Sequence, residues 1–165
     1  MNATLVKWLG VGALVVVLDQ LSKWWVVRSL ELGQEVPVLP FFSWVRWHNQ
    51  GAAFSMLSQA GGWQRWFFVL LAVVFVGFIV YELRRMPVEQ RIMGLVYGLV
   101  AGGAVGNLID RVMNGYVVDF ILVHYRSYYF PAFNLADSAL TVGAALWIGL
   151  AVGDYLKQRR EQGAS

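Results

Sequence analysis

Long apolar runs separated by short polar stretches dominate this chain. The first runs from about Trp8 to Val27 and is broken by Asp19 and Lys23. The second covers Trp66 to Tyr81, and the third, Ile92 to Ile109, holds 18 residues without a charge. The fourth runs from Leu135 to Gly153, with Asp137 near its start. About 20 apolar residues cross a hydrocarbon layer as a helix, and lipid leaves no partner for open backbone, so each run predicts a transmembrane α-helix. Lys7 ahead of the 11-residue run Trp8–Leu18 imitates a secretory signal. No small-residue cleavage site follows and the hydrophobicity resumes at Trp24, which predicts a retained anchor.

The connection spanning about 29–64 is too long to be structureless. Residues 36–40 and 41–48 predict short strands, with Pro37 and Pro40 confined to edges or turns. Ala52–Leu57 predicts a short helix lying in the membrane interface. In the 112–133 connection, Val117, Val118, Phe120, Ile121 and Val123 form a strand-like run. The expected fold is an all-α membrane protein: four transmembrane helices, a small extracytoplasmic β element and a short interfacial helix, in one domain over 1–165.

Composition narrows the picture. Of 165 residues, 58% are hydrophobic and 14% charged, against about 25% charged in soluble domains. Four spans leave no room for a large second domain. The absence of Cys excludes disulfides, thiolate catalysis and sulfur-ligated metals. A net charge of +3, widely scattered, does not make a nucleic-acid groove. Lys7, Arg84, Arg85, Arg91, Lys157, Arg159 and Arg160 fall on one side of the predicted bundle, and Arg28, Arg46, Arg65 and Arg126 on the other. That imbalance predicts cytoplasmic termini. Trp24, Trp25, Trp44, Trp47, Trp63 and Trp66 all fall on the opposite, outer side, where amphipathic rings favour the headgroup layer.

Charge inside a span costs about 2.5–3.5 kcal/mol on insertion scales and needs a reason. Asp19 and Lys23, four apart, share a helix face and either neutralise one another or belong to a site. Asn107, Asp110 and Arg111 fan over neighbouring faces at the end of the third helix, as in a structural clamp. Gly94, Gly98, Gly102 and Gly106 recur every fourth residue, a spacing that lets another helix approach closely. Asn134 and Asp137 have the spacing of a capping box at the start of the fourth helix. Asp119 has no such use, because it interrupts an apolar strand-like run.

If the 112–133 connection folds back over the bundle, Asp119 and Asp137 meet about one helical turn, roughly 5 Å, below the outer surface. Two carboxylates there share one proton. Such a pair hydrolyses peptides without a metal or a covalent intermediate: the ionised member deprotonates water, and the protonated member stabilises the oxyanion and protonates the leaving amine. Other chemistries lack their residues. His48 and His124 form no H-E-x-x-H motif, Ser22 and Lys23 are adjacent and face apart, and no G-x-S-x-G or phosphate-binding glycine loop is present.

Five blocks carry a family resemblance: Asp19 to Lys23 (DQLSK), Asn49 to Phe54 (NQGAAF), Gly102 to Arg111 (GGAVGNLIDR), Val118 to Phe120 (VDF) and Phe133 to Ser138 (FNLADS). In this order and spacing, from about Leu18 to Thr141, they strongly resemble the bacterial lipoprotein signal peptidases, the type II signal peptidases. The resemblance implies a four-helix inner-membrane aspartic peptidase with cytoplasmic termini and its active site at the outer, periplasmic surface. The substrates would be diacylglyceryl-modified prolipoproteins, cleaved on the N-terminal side of the lipidated Cys. It assigns catalysis to Asp119 and Asp137. Asn134 would orient the second aspartate, and Asp19, Lys23, Asn49, Asn107, Asp110, Arg111 and Ala136 would bind substrate or support the site. Gly51 and Ala52 would belong to an outer cradle and lid, about 29–64, resting on membrane lipid. No metal, cofactor or obligatory protein partner is implied. Two rivals stay open on the residues alone: a proton- or cation-relay transporter using Asp19, Asp110, Asp119 and Asp137, and a non-enzymatic scaffold.

Overall fold

The computed structural model describes residues 3–51 and 62–163. Among them the chain forms helices α1 (Ala3–Ser29), α2 (Trp63–Arg85), α3 (Arg91–Asn114) and α4 (Leu135–Gly163). Strands β1 (Glu35–Leu39) and β2 (Phe42–Asn49) lie between α1 and α2, and β3 (Val117–Tyr125) and β4 (Tyr128–Tyr129) between α3 and α4. All four helices are long and apolar enough to cross a membrane. Each outruns the apolar stretch that announced it. Charged turns such as Glu82–Arg85 and Asp154–Arg160 stay helical because their backbone bonds continue beyond the hydrocarbon. The interfacial helix expected at Ala52–Leu57 lies outside the described residues.

Helix α3 is the centre of the bundle, packed against α1, α2 and α4. Of its most apolar window 44% is buried, against 11% for α2, whose Leu70, Leu71, Val74 and Phe78 stay exposed, as a lipid-facing surface requires. The glycine repeat explains how α1 comes so near. Gly94 lies under the Trp8 ring, a Cβ at Gly98 would stand 2.8 Å from the Trp8 carbonyl oxygen, and one at Gly102 would stand 2.6 Å from that of Gly12. At Gly98 and Gly102 only glycine lets the backbones meet.

The strands form one antiparallel sheet in the order β1-β2-β3-β4. Pro37 lies on the edge strand β1, where its missing N–H costs no ladder bond. The β2–β3 register sets Trp47 opposite Asp119 and Asn49 opposite Val117, after a slip between Trp44 and Trp47. Gly115 takes φ +83° at the end of α3 and donates its N–H to the Arg111 carbonyl at 3.1 Å. This left-handed cap turns the chain straight from α3 into β3. The 112–133 connection therefore folds back over the bundle, with β3 running longer than expected and a β4 hairpin that the sequence did not announce. Trp24, Trp25, Trp47, Trp63 and Trp66 are exposed near this sheet-bearing end, a layer of rings suited to headgroups.

Candidate active site

Asp119 reaches the site because its strand is buried on both faces there: Val117, Val118, Asp119 and Phe120 are all buried. Asp137 reaches it from the first turn of α4. Both line one cleft of about 690 Å³, together with Asn107, Arg111, Asn49 and Gly51.

Asn134 joins the two acids. Its Nδ2 donates to Asp119 Oδ1 at 2.9 Å, and its Oδ1 accepts the Asp137 backbone N–H at 2.9 Å. The Asn134 backbone N–H in turn donates to Asp137 Oδ2 at 3.3 Å. The capping box is real, and it leaves the rest of the Asn134 side chain free for the second carboxylate. Asn134 itself is fully buried.

Further amides complete the shell. Asn107 Nδ2 donates to Asp137 Oδ1 at 2.7 Å, and Asn49 Nδ2 donates to Asp119 Oδ2 at 3.0 Å. The Asn49 Oδ1 accepts the Gly51 N–H at 3.0 Å, and Arg111 donates to the Gly51 carbonyl at 3.2 Å. Loop 49–51 is thereby tied to the site from both sides. The Arg111 guanidinium also lies 5.0 Å from the centre of the Phe68 ring on α2. Ala52 lies outside the described residues.

Behind the acids, the charges on α1 and α3 converge. Lys23 Nζ is 2.8 Å from Asp19 Oδ2 and 3.0 Å from Asp110 Oδ2, and donates to Asn107 Oδ1 at 3.0 Å. Asp19–Lys23 and Asn107–Asp110–Arg111 are therefore not two local arrangements: Lys23 links Asp19, Asp110 and Asn107 across the α1–α3 seam. Ala136 joins them through its backbone N–H, which donates to Asp19 Oδ1 at 2.9 Å. Gln20 was overlooked as a site residue. Its Nε2 donates to Asp110 Oδ1 at 3.0 Å and to Asp19 Oδ2 at 3.2 Å. An uncharged amide in a span was the available signal. The cleft walls contributed by Trp47, His48, Phe130, Phe133, Thr141 and Val142 were also missed, since isolated aromatic, hydroxyl and aliphatic residues carry no motif.

Burial, and next the negative charge of Asp137, push the Asp119 carboxyl up to about 7, against the hydrogen bonds from Asn49 and Asn134 and the charge of Lys23. Asp119 therefore exchanges a proton near neutrality, the property that general acid–base chemistry needs. His48, on the rim, stacks on Tyr116 with ring centres 3.7 Å apart. Burial and then the charge of Arg46 hold His48 below its ordinary value, so it stays neutral at neutral pH.

This arrangement can be set beside known proteins. The family model described as signal peptidase II matches residues 11–152. A lipoprotein signal peptidase of Acinetobacter baumannii is 52% identical over 139 residues, 84% of this chain and 79% of that relative. One of Shewanella loihica is 46% identical over 157 residues, 95% of this chain and 91% of its own length. A solved structure described as a bacterial membrane enzyme superposes with a TM-score of 0.81 at 33% identity, covering 90% of this chain and 89% of that one. With its four apolar helices, this is a multi-pass protein of the bacterial inner membrane. The chain belongs to the signal peptidase II family.

Proposed function

We propose that this chain removes the signal peptide from diacylglyceryl-modified prolipoproteins, cutting on the N-terminal side of the lipidated Cys, with Asp119 and Asp137 as the catalytic pair. One observation carries the reading: two acids from separate elements line one cleft and are joined through a single buried amide, Asn134. The pair holds one proton in the active state. Its ionised member takes a proton from water as the oxygen attacks the scissile carbonyl. The other member donates to the developing oxyanion and then to the leaving amine. No covalent intermediate forms.

The amides around the pair set its geometry before substrate arrives. Every carboxylate oxygen of Asp119 and Asp137 accepts at least one N–H, so neither side chain must reorient during the reaction. A lipid anchor on the substrate holds the scissile bond at the level of the cleft, which lowers the entropic cost of positioning it. Asn49, Gly51, Ala52, Asn107, Arg111, Asn134 and Ala136 serve substrate placement or support of the pair. A transporter reading is disfavoured, because residues 92–106 and 141–153 contain no Asp, Glu, His, Lys or Arg to continue a relay.

The termini face the cytoplasm and the cleft opens at the outer surface. The chain contains no Cys, so single-Cys labelling is clean. Ser127→Cys is expected to react with an impermeant maleimide on intact spheroplasts and Gln158→Cys only after lysis; the reverse pattern inverts the topology. The decisive assay uses purified protein and a diacylglyceryl-modified precursor. Asp119→Asn and Asp137→Asn stay folded and cut nothing, while full cleavage by either variant rejects the pair.

A further inference from the structure

The charge count behind the site is uneconomical for simple neutralisation. One ammonium would be balanced by one carboxylate, yet Lys23 is held between two, both almost completely buried. A surplus buried anion is costly unless it does something else. Each carboxylate uses a further lone pair on a backbone amide. Asp19 Oδ1 accepts the N–H of Ala136, at 2.9 Å, and Asp110 Oδ2 accepts the N–H of Val118, at 3.1 Å. Ala136 immediately precedes Asp137, and Val118 immediately precedes Asp119.

The geometry points to a register clamp: Asp19 and Asp110, yoked by Lys23, are positioning residues that hold the backbone one residue ahead of each catalytic aspartate. This rests on the reading of Asp119 and Asp137 as the catalytic pair. The third ammonium donor completes the device, because Lys23 directs the Asn107 oxygen toward itself and so turns the Asn107 Nδ2 toward Asp137. Gly106 serves the clamp as well as the packing of α3 on α4. A Cβ there would stand 2.6 Å from Asp19 Oδ2 and 3.2 Å from the Ala136 Cβ, whereas Gly98 and Gly102 face the backbone and valines of α1. Gln20 closes the back, donating to both carboxylates.

The test separates grip from charge. kcat and KM are measured on the diacylglyceryl-modified precursor for wild type, Asp110→Ala, Asp110→Asn, Gly106→Ala and Asp119→Asn, with thermal midpoints alongside. Asp110→Ala lowers kcat about 100-fold, the scale of a misplacement near 1 Å, with KM changed less than about threefold. Asp110→Asn restores kcat to within about tenfold of wild type, because its amide oxygen still meets Val118 and Lys23 while the Gln20 amide rotates to accept from the new Nδ2. Gly106→Ala removes no polar group and lowers kcat in the same sense by displacing Asp19, so it carries the test if Asp110→Ala fails to fold. Wild-type kcat in Gly106→Ala and Asp110→Ala overturns the clamp. So does an Asp110→Asn variant as impaired as the alanine, which would make charge the active property. An inert Asp119→Asn beside wild-type kcat in every folded variant among Gly106→Ala and Asp110→Ala removes the clamp alone, and a fully active Asp119→Asn removes the catalytic pair as well.

Discussion

Toward Ala3, the seam between α1 and α3 buries Leu5, Trp8, Val96, Val100 and Ala101 against Ile79 and Leu83 of α2. Toward Ser29 the same two helices bury Asp19, Lys23, Asn107 and Asp110. The glycine repeat runs through both halves. In the first half glycine admits the Trp8 ring and the α1 backbone, and at Gly106 it admits a carboxylate. The apolar half tolerates approximate solutions, since dispersion is non-directional and volume is what must be filled. The polar half does not. Each buried charge there has partners at hydrogen-bond distance, and removing one partner strands another in a medium that cannot compensate. One helix pair thus carries a packed core at one end and a directional network at the other.

The largest effects belong to the polar half. Asp119→Asn and Asp137→Asn should each lower cleavage by at least about a thousandfold, the range for losing a proton-transfer group, measured by chromatography of the released peptide. Asn134→Ala cuts the bridge between the acids without touching either, and should cost about 100-fold in kcat. An Asn134→Ala enzyme of wild-type rate would make the bridge irrelevant to catalysis.

Proton linkage sharpens the contrast. Cleavage should follow a bell-shaped pH profile that belongs to the pair, with its alkaline limb near the Asp119 value of about 7. Stability carries the same signature. The folded protein keeps the Asp119 proton up to about 7, while the unfolded chain releases it near 3.8. The contribution of this group is therefore full below about 4 and is lost as pH rises through about 7. The thermal midpoint of wild type should fall between pH 5 and pH 8, and Asp119→Asn should flatten that dependence. Equal slopes in the two proteins would place the titration elsewhere.

Smaller effects belong to the apolar half. Gly98→Ala forces a Cβ against the Trp8 carbonyl and Val11, so overpacking should cost about 1–3 kcal/mol, seen as a lower midpoint with unchanged kcat per folded molecule. Gly77→Ala sets the floor. Nothing lies within 4 Å of a Cβ there, and the change should be neutral or stabilising by up to about 1 kcal/mol. A loss of catalysis in either variant would show that the two halves are coupled.

Much of the molecule was legible in one dimension. Hydrophobic length alone required four helices, because lipid permits no other use of such runs. Asn134–Asp137 announced its own helix start, since capping depends only on neighbours along the chain. Asp119 was conspicuous because an acid in an apolar strand has no local purpose. The β4 hairpin and the apolar walls of the cleft were invisible, as their residue types fit many surroundings equally well.

What the amino acids settled by themselves was therefore whatever obeys local rules: helix spans, caps, the close-approach glycines, and which charges were too costly to be idle. The three-dimensional chain decided which of those charges meet. Lys23 lies 87 residues before Asp110 in the sequence, yet their charged atoms stand 3.0 Å apart, and Asp19 grips an amide 117 residues away. Ionic and hydrogen-bond forces act over ångströms and carry no record of sequence separation. Only folding, through the α3 turn at Gly115 and the seam beside α1, could select those partners.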